Sequence, residues 1–256
     1  MSEIIATTKN KKYKYIKSLK QKKIRDADGV FTVEGKKSVE DAIASGYTIR
    51  LVAMSESFSE EFQCAADTIV VRNDLFSGLC DTKTPQGIIA VIEKKETAFT
   101  PDTGKLYIYC DTVADPGNLG TIIRTADAAG FGGVLLSCGC ADAYSPKTVR
   151  SSMGSFFNID IITDFDYNSL FALEEKGFNL VCGALEDDST DYTQTDFTKP
   201  TIIIVGNEAN GVSEDILKKC GHIIIPIYGK AESLNVGVAA AIMMYEAQRQ
   251  RRLNNE

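Results

Sequence analysis

The chain has one histidine, His222, among its 256 residues. A multi-histidine metal centre is thereby excluded, and a histidine-based catalytic triad would have to rest on that residue. His222 follows Gly221 at an expected helix-to-strand junction, a setting that assigns it a structural role, and no metal is expected. No run of eighteen or more apolar residues occurs, and the N-terminus has no apolar signal-peptide core. A soluble, cytoplasmic protein without a membrane partner is therefore expected. No dinucleotide fingerprint is present either. Gly130-Phe131-Gly132-Gly133 comes nearest, but it follows a helix and precedes a strand, the wrong context for a pyrophosphate. A P-loop lysine motif, internal repeats and low-complexity tracts are also missing.

What is there points to a globular α/β protein. With 44% hydrophobic residues, the chain can build one large domain or two ordinary ones. Seven cysteines are an odd number, and without an export signal they read as reduced, mostly buried thiols. Cys138 and Cys140 lie one residue apart, which is neither a redox nor a zinc spacing.

The net charge of −7 conceals an asymmetry. Residues 1–25 hold nine Lys or Arg against Glu3 alone, a net +8, so the remainder carries −15. This basic N-terminal arm interleaves Tyr13, Tyr15, Ile16 and Leu19 with lysines. A helix is expected there that packs one face and turns Lys11, Lys12, Lys22, Lys23 and Arg25 toward phosphates. A solvated helical face is the equally weighted alternative.

Residues 26–94 alternate strand and helix signals and read as a small α/β sandwich, with helices over Lys36–Ala44 and around Ser57–Ala65. Residues 95–104 are polar, contain Pro101 and Gly104, and read as a linker. A second α/β domain spans 105–256. Asn118 is its candidate N-cap for a helix over Leu119–Ala129, and Ser233 for the last helix. Two units near the C-terminus run from a buried strand into a polar loop: Thr201–Val205 into Gly206-Asn207-Glu208-Ala209-Asn210-Gly211, and Ile223–Ile227 into Glu232-Ser233-Leu234-Asn235. Open α/β sheets bind ligands beyond the carboxyl ends of their strands, so an enzyme is expected rather than a scaffold.

Asn118-x-Gly120-x3-Arg124, Gly206-x-Glu208-x2-Gly211 and Ser233-Leu234-Asn235 after a Pro-containing strand together resemble the three signature motifs of the SpoU, or TrmH-like, branch of the SPOUT RNA methyltransferases. The stretch Ser145–Gly154 also looks like family sequence, and Phe31–Ala42 resembles an L30e-like RNA-binding domain. The resemblance covers nearly the whole chain. It implies S-adenosyl-L-methionine as cofactor, methyl transfer to a ribose 2′-hydroxyl of RNA, ribosomal RNA of the 23S type above all, a deep trefoil knot in the C-terminal domain, and a homodimer. It also implies a polar catalytic set of Asn118, Arg124, Glu208, Ser233 and Asn235, with Gly206, Ile225 and Leu234 holding the cofactor. Lys147 and Arg150 are further candidates for RNA phosphates. A tRNA methyltransferase and a non-catalytic RNA-binding protein of the same fold are the rival readings.

Overall fold

The computed structural model describes residues 4–95 and 98–254. Residues 1–3 of the basic segment, 96 and 97 of the expected linker, and 255–256 lie outside the described residues. Compactness divides the chain into Met1–Glu96 with Tyr144–Phe157, and Thr97–Ala143 with Asn158–Glu256.

The first unit holds β1 (Ile4–Ile5), α1 (Lys11–Ser18), α2 (Lys22–Asp28), β2 (Val30–Glu34), α3 (Lys36–Ala44), β3 (Ile49–Ser55), β4 (Asp67–Val71), α4 (Asn73–Phe76) and β5 (Ile88–Glu93). Its sheet has the order β1-β4-β3-β5-β2; β4 pairs in parallel with β1 and β3, and β5 antiparallel with β3 and β2. The basic segment is not a free arm. Tyr13, Ile16 and Leu19, at the three-residue spacing of one helical face, are buried with Ile5, Leu51, Val71 and Phe76 in the core. The helix expected around Ser57–Ala65 does not form, since that stretch has too few apolar residues to bury a helical face. Its Ser57 N–H instead donates to Asn73 Oδ1 at 3.0 Å.

The second unit begins with β6 (Tyr107–Cys110), α5 (Pro116–Ala128) and β7 (Gly133–Leu136). Next, α6 (Pro146–Ser151) belongs to the first unit, where the Phe31 ring lies 5.2 Å from that of Tyr144 and 5.4 Å from that of Phe156. The sequence boundaries had given this segment to the C-terminal domain. The second unit resumes with β8 (Asp160–Ile162), α7 (Tyr167–Phe171), β9 (Asn179–Gly183), β10 (Thr190–Asp191), β11 (Thr201–Val205), α8 (Glu214–Leu217), β12 (Gly221–Ile224) and α9 (Val236–Asn254).

These strands form one sheet in the order β10-β12-β9-β11-β6-β7-β8, and every pairing is parallel. A parallel sheet covered on both faces demands continuous β-branched strands, and Ile202, Ile203 and Ile204 have no exposure. From β6 the chain builds outward through β7 and β8 on one side, and the later strands lie on the other. Strand order therefore reverses between β6 and β11, where sheets of this kind open a crevice for ligands. Among the described residues no helix is long and apolar enough to cross a membrane.

Candidate active site

The loops leaving β6 and β11 meet at that reversal. Asp115, rather than Asn118, caps α5: its Oδ1 accepts from the N–H groups of Gly117 at 2.7 Å and Asn118 at 3.0 Å, with Pro116 in the first turn. This leaves the N–H groups of Ala114 and Asp115 to donate to the Glu208 carboxylate, each at 3.0 Å. Asn118 then sits within the first turn and donates from Nδ2 to Glu208 Oε1 at 2.8 Å.

Asn235 extends the chain of bonds. The last helix begins at Val236, so Asn235 and not Ser233 is its cap, with Oδ1 accepting from Gly237 N–H at 3.0 Å. Its Nδ2 donates to Asn118 Oδ1 at 2.9 Å. Both amide orientations are dictated by their partners, because a helix N–H needs an oxygen and a carboxylate needs a donor. Burial opposes ionisation of Glu208, but the bonds from Asn118, Ala114 and Asp115 outweigh it and hold the carboxyl below its ordinary range. Glu208 is thus an anion at neutral pH that already accepts three hydrogen bonds.

The 206–211 loop is closed on itself. Asn207 N–H donates to Gly211 O at 2.8 Å, and Gly211 N–H returns a bond to Asn207 O at 2.9 Å. Gly206 has to be glycine, since a Cβ there would overlap the backbone of Gly211 and Val212.

Beside this network lies a cavity of about 730 Å³, the size of a small-molecule site. Gly206, Ile225 and Leu234 line it, as do Glu208, Ser233 and Asn235. Ile225 lies past the end of β12, which stops because Pro226 has no N–H to donate. Arg124 is in neither set: it lies on the exposed face of α5, and no hydrogen bond among the described residues uses its guanidinium. Sequence reasoning missed Gly183, Leu185 and Met243 as lining residues. The strand-end rule applied to β9 would have found the first two, whereas Met243 arrives through the packing of α9.

Among the described residues no Lys or Arg lines the cavity, while Glu208 and Glu232 do. That electrostatic character disfavours a phosphorylated ligand and suits a cationic one with an apolar body.

The residues expected to hold RNA divide. Lys11, Lys22, Lys23 and Lys147 are exposed; Lys12 pairs with Asp67, and Arg150 Nη1 lies 2.9 Å from Asp81 Oδ2. Arg25 is a correction. It is 3% exposed, and its Nη1 donates to the carbonyls of Leu19 at 2.7 Å and Lys20 at 2.9 Å, stitching α1 to α2. His222 places Nδ1 2.6 Å from Asp188 Oδ1 and Nε2 2.8 Å from Leu217 O. Both partners can accept, and the bond to Asp188 raises the ring's pKa despite partial burial.

Fold and site together define an α/β protein with a preformed small-molecule cavity beyond the carboxyl ends of a parallel sheet, the arrangement of a cofactor-dependent enzyme. The chain belongs to the SpoU rRNA methylase family, whose model matches residues 105–245; a second model, the MRM3-like substrate binding domain, matches residues 10–90. It is 36% identical over 244 residues to the 23S rRNA (guanosine(2553)-2'-O)-methyltransferase RlmP of Bacillus subtilis, covering 94% of this chain and 97% of the relative. An AdoMet-bound rRNA methyltransferase from Sinorhizobium meliloti superposes with a TM-score of 0.86 at 32% identity, covering 97% of this chain and 98% of that one. The SpoU methyltransferase AviRb from Streptomyces viridochromogenes, in complex with AdoMet, also gives 0.86, at 29% identity over 95% of this chain and 100% of that one.

Proposed function

We propose that the protein transfers a methyl group from S-adenosylmethionine to a ribose 2′-hydroxyl of ribosomal RNA of the 23S type. The observation that carries this reading is the cavity: apolar walls from Ile223, Ile225 and Leu234, two carboxylates and no cationic side chain fit a nucleoside bearing a positive sulfonium. When bound, the cofactor supplies an electrophilic methyl group, and Gly206, Ile225 and Leu234 are the residues that would hold it.

The rest of the chemistry belongs to the chain. A ribose hydroxyl becomes a competent nucleophile only as its proton leaves, so negative charge on the 2′-oxygen has to be stabilised. A protonated guanidinium has five donors and no acceptor. Arg124 therefore fixes the target phosphate and stabilises the 2′-oxygen, while the proton it cannot accept passes to solvent water at this exposed face. Asn118, Glu208 and Asn235 hold the three motif loops in one register, and Ser233 supplies a hydroxyl at the cavity wall.

Finer features accompany this reading. A trefoil knot, which the family resemblance implies, would involve the loops after β6 and β11 that the bond from Asn207 Nδ2 to Thr112 O at 2.9 Å holds together. Exposed Val238, Tyr245 and Leu253 on α9 support a homodimer. Seven free cysteines suit a reducing cytoplasm. The mixed sheet of the first unit supports an L30e-like module within 26–94, serving a methyltransferase domain over 105–256.

Titration with S-adenosylmethionine tests the reading: binding is expected, and its absence would favour the non-catalytic alternative. Because Tyr13, Ile16 and Leu19 are core residues, the basic face is tested by substitution and not by deletion. Changing Lys11, Lys22 and Lys23 to Gln is expected to lower the salt slope of RNA binding by about 2, at roughly 0.7–0.9 per phosphate contact. An unchanged slope would remove these lysines from the interface.

A further inference from the structure

Asp111, the residue after β6, has no exposure, although it is a carboxylate that the proposed chemistry does not use. Its Oδ1 accepts from the Tyr167 hydroxyl at 2.7 Å, and its Oδ2 accepts from the Ser213 backbone N–H, also at 2.7 Å. Ser213 is where the loop after β11 ends and α8 begins. Burying an anion is unfavourable unless donors meet it, and an anionic acceptor holds its donors more tightly than a neutral one.

The same turn after β6 grips the rest of that loop. Thr112 O accepts from Asn207 Nδ2 at 2.9 Å, and the N–H groups of Ala114 and Asp115 donate to Glu208. Thr112 does this at φ 56°, a left-handed conformation rare for a β-branched residue, with its own N–H bonded to Ser137 Oγ at 2.9 Å. Such a conformation persists only where its surroundings over-determine it. The loop is thus fastened near its start at Asn207, in its middle at Glu208 and at its end at Ser213. Along this loop, Gly206, Asn207, Glu208, Ala209 and Gly211 line the cavity.

We propose that Asp111 is a positioning residue for cofactor binding: together with Tyr167 it pins the downstream end of the 206–213 loop, so that the cavity wall is formed before the ligand arrives. This rests on the cavity being the S-adenosylmethionine site. Asp111 acts through Ser213 and the loop, and touches no reacting atom. Tyr167 is itself held in place because Asp166 caps α7, accepting from Ser169 N–H at 2.8 Å.

The test uses the full-length chain, S-adenosylhomocysteine as the probe, and two variants, Asp111→Asn and Tyr167→Phe. Asn keeps the shape but accepts on one oxygen only; Phe removes one donor and leaves the half-buried ring. Calorimetric affinity is expected to fall about tenfold in the first and about threefold in the second, the scale of one weakened buried hydrogen bond. In the ligand-free variants, amide exchange should quicken at 206–213 while β6 and β11 keep wild-type protection. Wild-type affinity in both variants would overturn the proposal. So would exchange that rises uniformly over the sheet, since that would make Asp111 a residue of general stability. If the unaltered protein failed to bind the probe, the functional reading itself would fall and this inference with it, a result visible before any substitution is made.

Discussion

Replacing Arg124 by Ala is expected to lower the rate of RNA methylation about a thousandfold, with cofactor affinity within about twofold of the unaltered protein. The asymmetry follows from placement. Arg124 lies on the exposed face of α5 and does not line the cavity, so its loss takes nothing from the cofactor's walls. What it removes, on the proposed reading, is a cation with a planar fork of donors for the target phosphate. Arg124→Lys separates charge from geometry: an ammonium keeps the charge but not the fork, and a loss of about a hundredfold is expected. Methylation by the Lys variant near the unaltered rate at neutral pH would show that only a positive charge is needed. Single-turnover rates at saturating cofactor, read beside calorimetric affinities, give both quantities.

Glu208→Ala is the second large effect, and it differs in kind. Glu208 accepts from Ala114 N–H, Asp115 N–H and Asn118 Nδ2, and through Asn118 it orients Asn235. Truncation leaves three donors without their acceptor and releases two of the three motif loops from each other. Activity is expected to fall about a hundredfold, cofactor affinity to fall with it, and the melting temperature to drop by several degrees. Because the folded-state pKa of Glu208 is depressed below 4.5, its stabilising contribution is present above about pH 4.5 and is lost as pH falls through the folded value. The melting temperatures of the unaltered protein and of Glu208→Gln are therefore expected to differ at neutral pH and to converge in acid. A difference that stayed constant down to low pH would mean that the carboxylate charge contributes nothing to the loop.

Much of the second unit was legible because its signals are redundant. The β-branched run Thr201–Val205 is a strand on composition alone, and the Pro and Gly positions around it leave little choice of boundary. Residues that can serve two roles were harder. Asp115 and Asn118 are both good caps three residues apart, and Pro116, which favours the first helical turn, was the signal that should have selected Asp115. Ser233 and Asn235 pose the same ambiguity, resolved only when the amide of Asn235 finds both a helix N–H and Asn118. Arg25 read as one more cation in a lysine-rich stretch. Its fork reaches two carbonyls that a lysine would not satisfy together, so an arginine among lysines was a faint hint of burial. Asp111 was not legible at all, because its donors come from positions 56 and 102 residues away. The physical reading reached a ligand site at strand ends; S-adenosylmethionine entered through resemblance, and the cavity's lack of cationic side chains is the structural feature that agrees with it.

The central claim is tested most directly by incubating the protein with methyl-labelled S-adenosylmethionine and 23S ribosomal RNA, then hydrolysing the RNA in alkali. A 2′-O-methyl group blocks cleavage at its own nucleotide, so the account predicts label in alkali-resistant dinucleotides, absent when Arg124→Ala replaces the unaltered protein. Label recovered on a base in mononucleotides, or RNA left unlabelled by protein that binds the cofactor, would contradict it.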